Sequence, residues 1–573
     1  MLPSSSKKRE RGFALIVNAA MLVFTVAAVG LALDVGSIYM IKGRLSAAVD
    51  AAALAAGRSV NLANTVQAAQ TAATNMANQF FSANFPAGYL GTTGSPTVNP
   101  TFEQEVDGSG NPDGILNITV AASVNAPTYF MNIFGVRSIP VSATGTATRR
   151  GLVMLLVLDE SSSMNTATVP SACQAMVSAA RNFITKFSPY DRIGMVKFDM
   201  TAHLAYTPST SYGDGSLDTA IANITCGGNT NTTSALEMAY RQIQAQNLPL
   251  AQNTIILFTD GSPNGISCDF PLRKQVDTRW GPAVTNPVAP NQPGGSLWNQ
   301  PYSPNGCPSS NGGNNGACVN MPATCPANGA AVRGTLAQGS NQNSYGGSIN
   351  GLYQPMDSDP SVVLPVGCGY QDSNTRQMIA YIPDQDIYGN STHGVAATGN
   401  GPTVAGGLVT RDTWLYQTIN LCSSDPNVQP SCKNVGDFWN NHGTIGSVSN
   451  KFTAGPYNGF FRPDQPNTIV AVSMNTAMAE ANRIRGNATY HIKINAIYLT
   501  GNGTDAVDRE FLPIIANFPT IPALPYDPVT YQAYVNPAFQ QNQEQGQYLV
   551  TADRNQLNAL FSQLASEVLR LSH

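Results

Sequence analysis

The chain opens on an uninterrupted apolar run, Phe13 to Leu33 (FALIVNAAMLVFTVAAVGLAL), 21 residues without a charge. As an α-helix such a run is about 30 Å long, enough to cross the hydrocarbon core of a bilayer. Helical sequence continues from Gly43 to Asn75, dense in alanine from Ala47 to Ala56. Alanine is the strongest helix former, and small side chains let neighbouring elements approach closely. From about Thr97 to Arg149 the period shortens to two. Ile118, Val120 and Ala122, then Val141, Ala143 and Ala147, alternate with polar or small residues, as half-buried antiparallel strands do. Asp107 to Gly114 reads as the turn between two such strands.

Past Gly151 the pattern changes again. Leu152–Leu158 (LVMLLVL), Arg192–Phe198 (RIGMVKF) and Thr254–Phe258 (TIILF) are apolar runs of strand length. Parallel strands buried on both faces have this character. Between them lie helical stripes, one carrying Met176, Ala180, Phe183, Ile184 and Phe187, the other Leu236, Ala239, Tyr240 and Ile243 within Thr233–Gln246. Alternating strand and helix units predict an α/β fold with a doubly wound, Rossmann-like parallel sheet. The alternation breaks at Ser262 and returns near Thr468. A helix around Asn475–Arg485, a strand His491–Leu499, a helix near Asp508–Asn517, a strand Tyr548–Thr551 and a final helix follow. That last helix carries Leu557, Leu560, Phe561, Leu564, Val568 and Leu571 on one stripe, with Asp553 as its N-cap. Both flanks are needed to complete one sheet, so residues 264–468 are a loop-rich insertion, too long for a simple connection.

Composition narrows the setting. At 573 residues the chain exceeds one ordinary core. Only 11% of residues are charged, and the net charge of -4 points away from a nucleic-acid-binding surface. Lys7, Lys8, Arg9 and Arg11 precede the apolar run, which places the N-terminus in the cytoplasm and everything after Asp34 outside. The run exceeds the apolar core of a cleaved signal peptide, so a retained anchor is expected. The nine cysteines form no CxxC pair, which points away from zinc and towards disulfides in an exported chain. Seven of the nine fall from Cys268 to Cys432, where disulfides are expected to staple the insertion.

The N-terminal residues carry a family resemblance. Arg11-Gly12-Phe13-Ala14, the apolar run, Leu33-Asp34-Val35-Gly36-Ser37-Ile38-Tyr39 and Leu45 to Ala56 (LSAAVDAAALAA) together resemble the TadE/TadG-like Flp pilus-assembly proteins over about the first 58 residues. The resemblance implies a pilin-like α+β region of long helix and small sheet. Peptidase-processed pilins carry Glu five residues after the cleaved Gly, whereas this chain has Val17 there. The expected layout is a cytoplasmic N-terminus (1–12), a transmembrane helix (13–33), the pilin-like region (34–150) and an α/β domain (151–573) interrupted by the insertion.

Three separated stretches bring candidate chemistry. Asp159-Glu160-Ser161-Ser162-Ser163 follows the first buried strand, Thr230-Asn231-Thr232 precedes a helix, and Thr259-Asp260-Gly261 ends another strand. Open α/β sheets place their ligand sites at such strand ends. Alone, Asp-x-Ser-x-Ser is equally a helix cap. The three pieces in this order resemble the von Willebrand factor type A domain, whose metal-ion-dependent adhesion site carries over onto Asp159, Ser161, Ser163, Thr230 and Asp260. Thr230 fits the spacing to Leu236, and Thr232 is the reserve. Mg²⁺ is a hard cation that takes six oxygens, with Mn²⁺ or Ca²⁺ as stand-ins, and neutral hydroxyl ligands leave its charge uncancelled. The resemblance implies that the ion recruits a carboxylate from a partner protein. In that fold Cys173 and Cys226 become neighbours, so they pair with each other or each into the insertion.

No nucleophile motif surrounds the five histidines, and no phosphate-binding Gly loop with Lys is present. The expectation is a non-enzymatic pilus-assembly protein of the bacterial inner membrane, bound to other pilus or pilin components. Two alternatives stand beside it. One is a metal-dependent hydrolase with Glu160 as the only nearby base, the other an A domain whose metal is structural.

Overall fold

Helix α1 (Glu10–Ser59) takes in the apolar run and the alanine-rich sequence after it without interruption in the computed structural model. The structure describes residues 10–60, 65–271 (apart from 95, 107, 109, 111, 168 and 262), 331–337, 383–392 (apart from 384), 466–500, 506–522 and 533–571 (apart from 537). The chain divides into two compact units. The first runs to Gly151 and takes in Phe187–Tyr190, and the second extends from Leu152 to Leu571.

In the first unit the helical sequence is two helices where one was expected. Helix α2 (Val66–Asn84) starts afresh at Thr65, whose side-chain oxygen accepts from Ala68 N–H at 3.3 Å, an N-cap. Its buried residues Ala69, Ala73, Ala77 and Phe81 recur every four positions. Those of α1 (Ile41, Leu45, Ala48, Val49, Ala52 and Ala56) recur every three or four. Strands β1 (Thr101–Val106), β2 (Pro112–Pro127) and β3 (Ser138–Arg150) form an antiparallel sheet in that order. The inward stripe of β3 reads Val141, Ala143, Gly145, Ala147, and Gly145 is required. A Cβ there would stand 2.5 Å from Asp50 Oδ1 and 2.8 Å from the Val49 carbonyl carbon. The β2–β3 hairpin thus runs down α1. Ala147 and Ile118 lie against Gly57, Gly145 against Asp50, and Ser142, through its carbonyl, accepts from Lys42 Nζ. At the hairpin's tip the Asp34 carboxylate accepts from the N–H groups of Tyr129, Phe130 and Met131 at 2.7–2.9 Å.

The second unit begins with β4 (Leu152–Asp159), α3 (Ala172–Ile184), β5 (Arg192–Phe198), β6 (Ala202–Ser209), α4 (Ser216–Ala222), α5 (Thr232–Gln246) and β7 (Gln252–Thr259). After them come β8 (Gly265–Pro271), β9 (Ala331–Ala337), α6 (Pro466–Arg485), β10 (Lys493–Leu499), α7 (Ala506–Ile515), β11 (Thr520–Ile521), β12 (Tyr534–Val535), β13 (Tyr548–Thr551) and α8 (Leu557–Leu571). The central sheet has the order β13-β10-β7-β4-β5-β6, parallel except for the last pair. Every residue of β4 is buried because both faces are covered. Val153, Leu155 and Val157 pack with Leu236, Ala477 and Phe511 of α5, α6 and α7. On the opposite face the Phe561 ring of α8 lies 5.4 Å from Phe183 of α3 and 5.9 Å from Phe258 of β7. The antiparallel edge strand β6 and the short helix α4 extend the expected alternation. Asp553 caps a 3₁₀ turn, Arg554–Gln556, that leads directly into α8.

Cys173 in the first turn of α3 is bonded to Cys226 in the loop before α5, with Cα atoms 6.2 Å apart at a sequence separation of 53. The two cysteines thus pair with each other and not into the insertion. Cys268 on β8 is a buried free thiol, and the other six cysteines lie outside the described residues.

The insertion is not uniformly loop. β8 and β9 pair antiparallel from Gly265↔Ala337 to Pro271↔Ala331, and α6 already begins at Pro466, a residue suited to a first helical turn. The turn Asp386–Asn390 lies beside this hairpin, with Ile387 N–H donating to the Ser267 carbonyl at 3.1 Å. Its Asp386 carboxylate accepts from Tyr388 N–H, Asn390 N–H and Asn390 Nδ2, and Asn390 Nδ2 also donates to Glu480 on α6 at 2.9 Å.

Burial pushes the Asp386 carboxyl up to about 7, so the folded unit holds a proton that the unfolded chain releases near the ordinary carboxylate value. Stability from this group is full in acid and is lost as pH rises through about 7, with an upper bound on the order of 4 kcal/mol. Urea midpoints should therefore fall from pH 5 to pH 8 more steeply in the wild type than in Asp386→Asn, and parallel pH profiles would count against this assignment. Replacing Cys173 and Cys226 by serine should cost about 2–4 kcal/mol of unfolding free energy. An unchanged denaturant midpoint would show that the bridge does not constrain the chain.

Candidate metal centre

The three candidate stretches meet because β4 lies between β5 and β7. Leu158 pairs with Phe258 and Asp159 with Phe198, so the chain leaves all three strands at one edge of the sheet. Strand order reverses between β4 and β7, since the chain proceeds from β4 to β5 and β6 on one side and to β7 and β10 on the other. Crevices at such reversals are the ligand sites of open α/β sheets.

Asp159 is fully buried at the floor of this edge. One carboxylate oxygen accepts from Ser161 N–H at 2.8 Å and the other from Thr259 Oγ1 at 2.5 Å. Both partners are neutral, and burial pushes the carboxyl up to about 6. A buried carboxylate held only by neutral donors is costly, and a cation beside it relieves that cost. Ser161 Oγ lies 2.9 Å from Ser163 Oγ, and Ser163 Oγ donates to Asp260 Oδ1 at 2.7 Å. Ligand oxygens around an octahedral Mg²⁺ at about 2.1 Å stand about 3.0 Å apart along each edge. The two serine hydroxyls already keep that spacing. A donor set of hydroxyl and carboxylate oxygens suits a hard divalent cation.

The second loop is fixed from both sides. Ser162 N–H donates to the Gly228 carbonyl at 3.0 Å and Gly227 N–H to the Glu160 carbonyl at 2.6 Å, which ties it to the first loop. Asn231 N–H donates to the Asp199 carbonyl at 2.7 Å, and the Asn231 side chain caps α5 by accepting from Ser234 N–H. The Thr230 carbonyl accepts from both Asn264 and Gly265 at 2.9 and 3.0 Å, while Thr230 N–H donates to Asn264 Oδ1 at 2.8 Å. Thr230 is thus the last residue before the helix cap. Thr232 is the first residue of α5, with a fully buried hydroxyl that has no hydrogen-bond partner among the described residues.

Sequence reasoning assigned no role to Thr259, Asn231 or Asp199, which orient the loops. Thr259 bridges the two strand ends through its hydroxyl. Glu160 points elsewhere: its Oε2 takes Lys197 Nζ at 3.1 Å. Its carboxylate, Asp199 and His203 form a second cluster of possible ligand atoms, all within 4.8 Å. The Lys197 ammonium already supplies positive charge to that cluster.

Residues 12–59 match the Flp pilus-assembly TadE/G-like family, and residues 154–262 match the von Willebrand factor type A domain family. No curated protein matches the chain. Among solved structures, the PilB minor pilin from Streptococcus sanguinis is 12% identical with a TM-score of 0.32, covering 84% of this chain and 81% of its own. The von Willebrand factor domain of the type V pili tip protein Mfa5 from Porphyromonas gingivalis is 14% identical with a TM-score of 0.31, over 74% and 98%. The pilus adhesin SpaC from Lactobacillus rhamnosus GG is 10% identical with a TM-score of 0.32, over 85% and 37%. Likenesses at these scores carry no argument about function. By its two sequence families, the chain joins a TadE/G-like pilus-assembly segment at residues 12–59 to a von Willebrand factor type A domain at residues 154–262.

Proposed function

We propose that this chain is a non-enzymatic, single-pass membrane protein of a Flp/Tad-type pilus system that displays a Mg²⁺-dependent, protein-binding A domain outside the inner membrane. It serves pilus assembly or pilus-borne adhesion. The TadE/G-like match and the apolar first part of α1 support the anchor. The four basic residues ahead of that run support a cytoplasmic N-terminus.

The observation that carries the reading is the convergence of Ser161 Oγ, Ser163 Oγ and Asp260 Oδ1 above buried Asp159. Ser161, Ser163, Thr230, Asp159 and Asp260 would hold the ion, with Mn²⁺ or Ca²⁺ as substitutes. When bound, the ion supplies an electrophilic centre that accepts a carboxylate from a partner protein. Asp159 and Thr259 fix the floor of the site, the serines present neutral donors, and the disulfide beside the second loop limits its excursion. The insertion leaves after Asp260, and its first residues, Asn264 and Gly265, donate to the Thr230 carbonyl. It is therefore the natural surface for choosing among partners. Hydrolysis is disfavoured by the engagement of Glu160 with Lys197, which turns the nearest extra carboxylate away from the serines.

Calorimetric titration of the purified protein with Mg²⁺ should show a saturable event that Ser161→Ala with Ser163→Ala weakens by at least about tenfold, roughly 1.4 kcal/mol. The far-UV circular dichroism of the double variant should match the wild type. Cells carrying it should lose pilus-dependent attachment. Undiminished Mg²⁺ binding by the variant would remove these residues from the site. Normal attachment by a variant that no longer binds Mg²⁺ would leave the ion a structural role only.

A further inference from the structure

The tip of the β2–β3 hairpin presents an apolar surface that the metal centre does not use. Ile133 is 76% exposed, Phe134 73% and Tyr129 66%, next to one another in a short 3₁₀ segment and the residues leading into it. Contiguous exposed side chains of this size on a soluble surface mark an interaction site.

Its position along α1 identifies the occupant. The Asp34 carboxylate, itself fully buried, holds Tyr129, Phe130 and Met131 by their N–H groups. Phe130 covers Gly30 so closely that a Cβ there would lie 2.3 Å from its ring. Gly30 and Asp34 bracket Leu33, the last residue of the apolar run. The tip therefore sits about one helical turn, roughly 5 Å, inside the end of that run. On the same stretch of α1, Val26, Val29, Leu31 and Leu33 are exposed, whereas Ala27 and Gly30 are half-buried. Tyr39 is exposed about one turn beyond Asp34. The Phe130 ring against Gly30 and the clamp at Asp34 place the hairpin tip beside the last turn of the apolar run. Aromatic side chains gather at that level of a bilayer, where the ring is apolar and the surroundings wet.

We propose that the Tyr129–Phe134 tip is a second membrane contact, inserted into the headgroup and acyl boundary of the outer leaflet beside α1. The inference rests on the anchor reading of α1. Asp34 is its positioning residue: by clamping the tip to the helix it fixes how deep the sheet of this unit sits. Its three N–H partners also satisfy a carboxylate that would otherwise be unpaired at the edge of the hydrocarbon. The two contacts together restrict the tilt and rotation of α1, which an isolated span leaves to its neighbours.

The test uses the full chain reconstituted into phosphatidylethanolamine and phosphatidylglycerol vesicles doped with a diazirine phospholipid, then photolysed, digested and mapped by mass spectrometry. Lipid adducts are expected on the α1 peptide spanning Leu15–Leu33 and on the peptide containing Tyr129–Phe134. Ile133→Glu with Phe134→Glu, both at exposed positions, should cut the loop adducts by about tenfold and leave those on α1. Asp34→Ala should also reduce the loop adducts. Adducts on α1 alone would overturn the tip contact and leave the anchor standing. Adducts on neither would overturn both.

Discussion

The parallel pairing of β4 with β7 is the constraint on which the second unit depends. It brings Asp159 and Asp260 to one edge, although a hundred residues of sequence separate them. The Thr259 hydroxyl, lying on the Asp159 carboxylate, locks that adjacency. A buried carboxylate would ordinarily destabilise the end of a strand. Here its two oxygens order the first loop through Ser161 N–H and the third through Thr259, so the same group that is costly to bury organises the site. The central core makes this possible. With side chains covering both faces of β4 and a parallel partner paired along each edge, the strand end carrying Asp159 is held in place.

A second dependence links the insertion to the site. The Thr230 carbonyl accepts from the first residues of the insertion, and Asn231 Nδ2 donates to Ser267 on β8 at 2.9 Å. Ser267 Oγ lies 2.7 Å from Thr335 Oγ1 on β9 and 3.1 Å from Ser234 Oγ on α5, which in turn accepts from Tyr388 at 3.0 Å. This chain of buried hydroxyls makes the root of the insertion part of the second loop's support. A partner pulling on β8 or β9 would act on atoms next to the proposed ligands. That gives a physical route by which recognition by the insertion and coordination by the loops influence each other.

Much of the fold was legible because buried parallel strands leave an unambiguous record. LVMLLVL, RIGMVKF and TIILF recur as β4, β5 and β7 within a residue or two, and Tyr548–Thr551 is β13. Weaker records were missed. β6 is an edge strand whose sequence AHLAYTPS carries little alternation, and α4 is a single short amphipathic piece. β8 did leave a signal, since Ile266, Cys268 and Phe270 alternate with Ser267 and Asp269, but the Asn-, Gly- and Pro-rich sequence after it masked the pattern. The break after Ser59 was written in Asn61, Asn64 and Thr65, two asparagines and a capping threonine. Alanine density extends across that break and hides it. The proposed ligands were readable from residue type and order. Their supports were not, because Thr259, Asn231 and the Asp199 carbonyl act through contacts only the folded chain creates.

In the proposed site, hydroxyl and carboxylate oxygens from three loops bind one divalent ion. Crystals of the protein grown with Mn²⁺ test it most directly by anomalous scattering, since Mn²⁺ substitutes for Mg²⁺ at oxygen sites. A single strong anomalous peak bonded to Ser161 Oγ and Ser163 Oγ beside Asp260 and Asp159 is the expected result. A peak among Glu160, Asp199 and His203 with none at the serines, or no peak at saturating Mn²⁺, would contradict it.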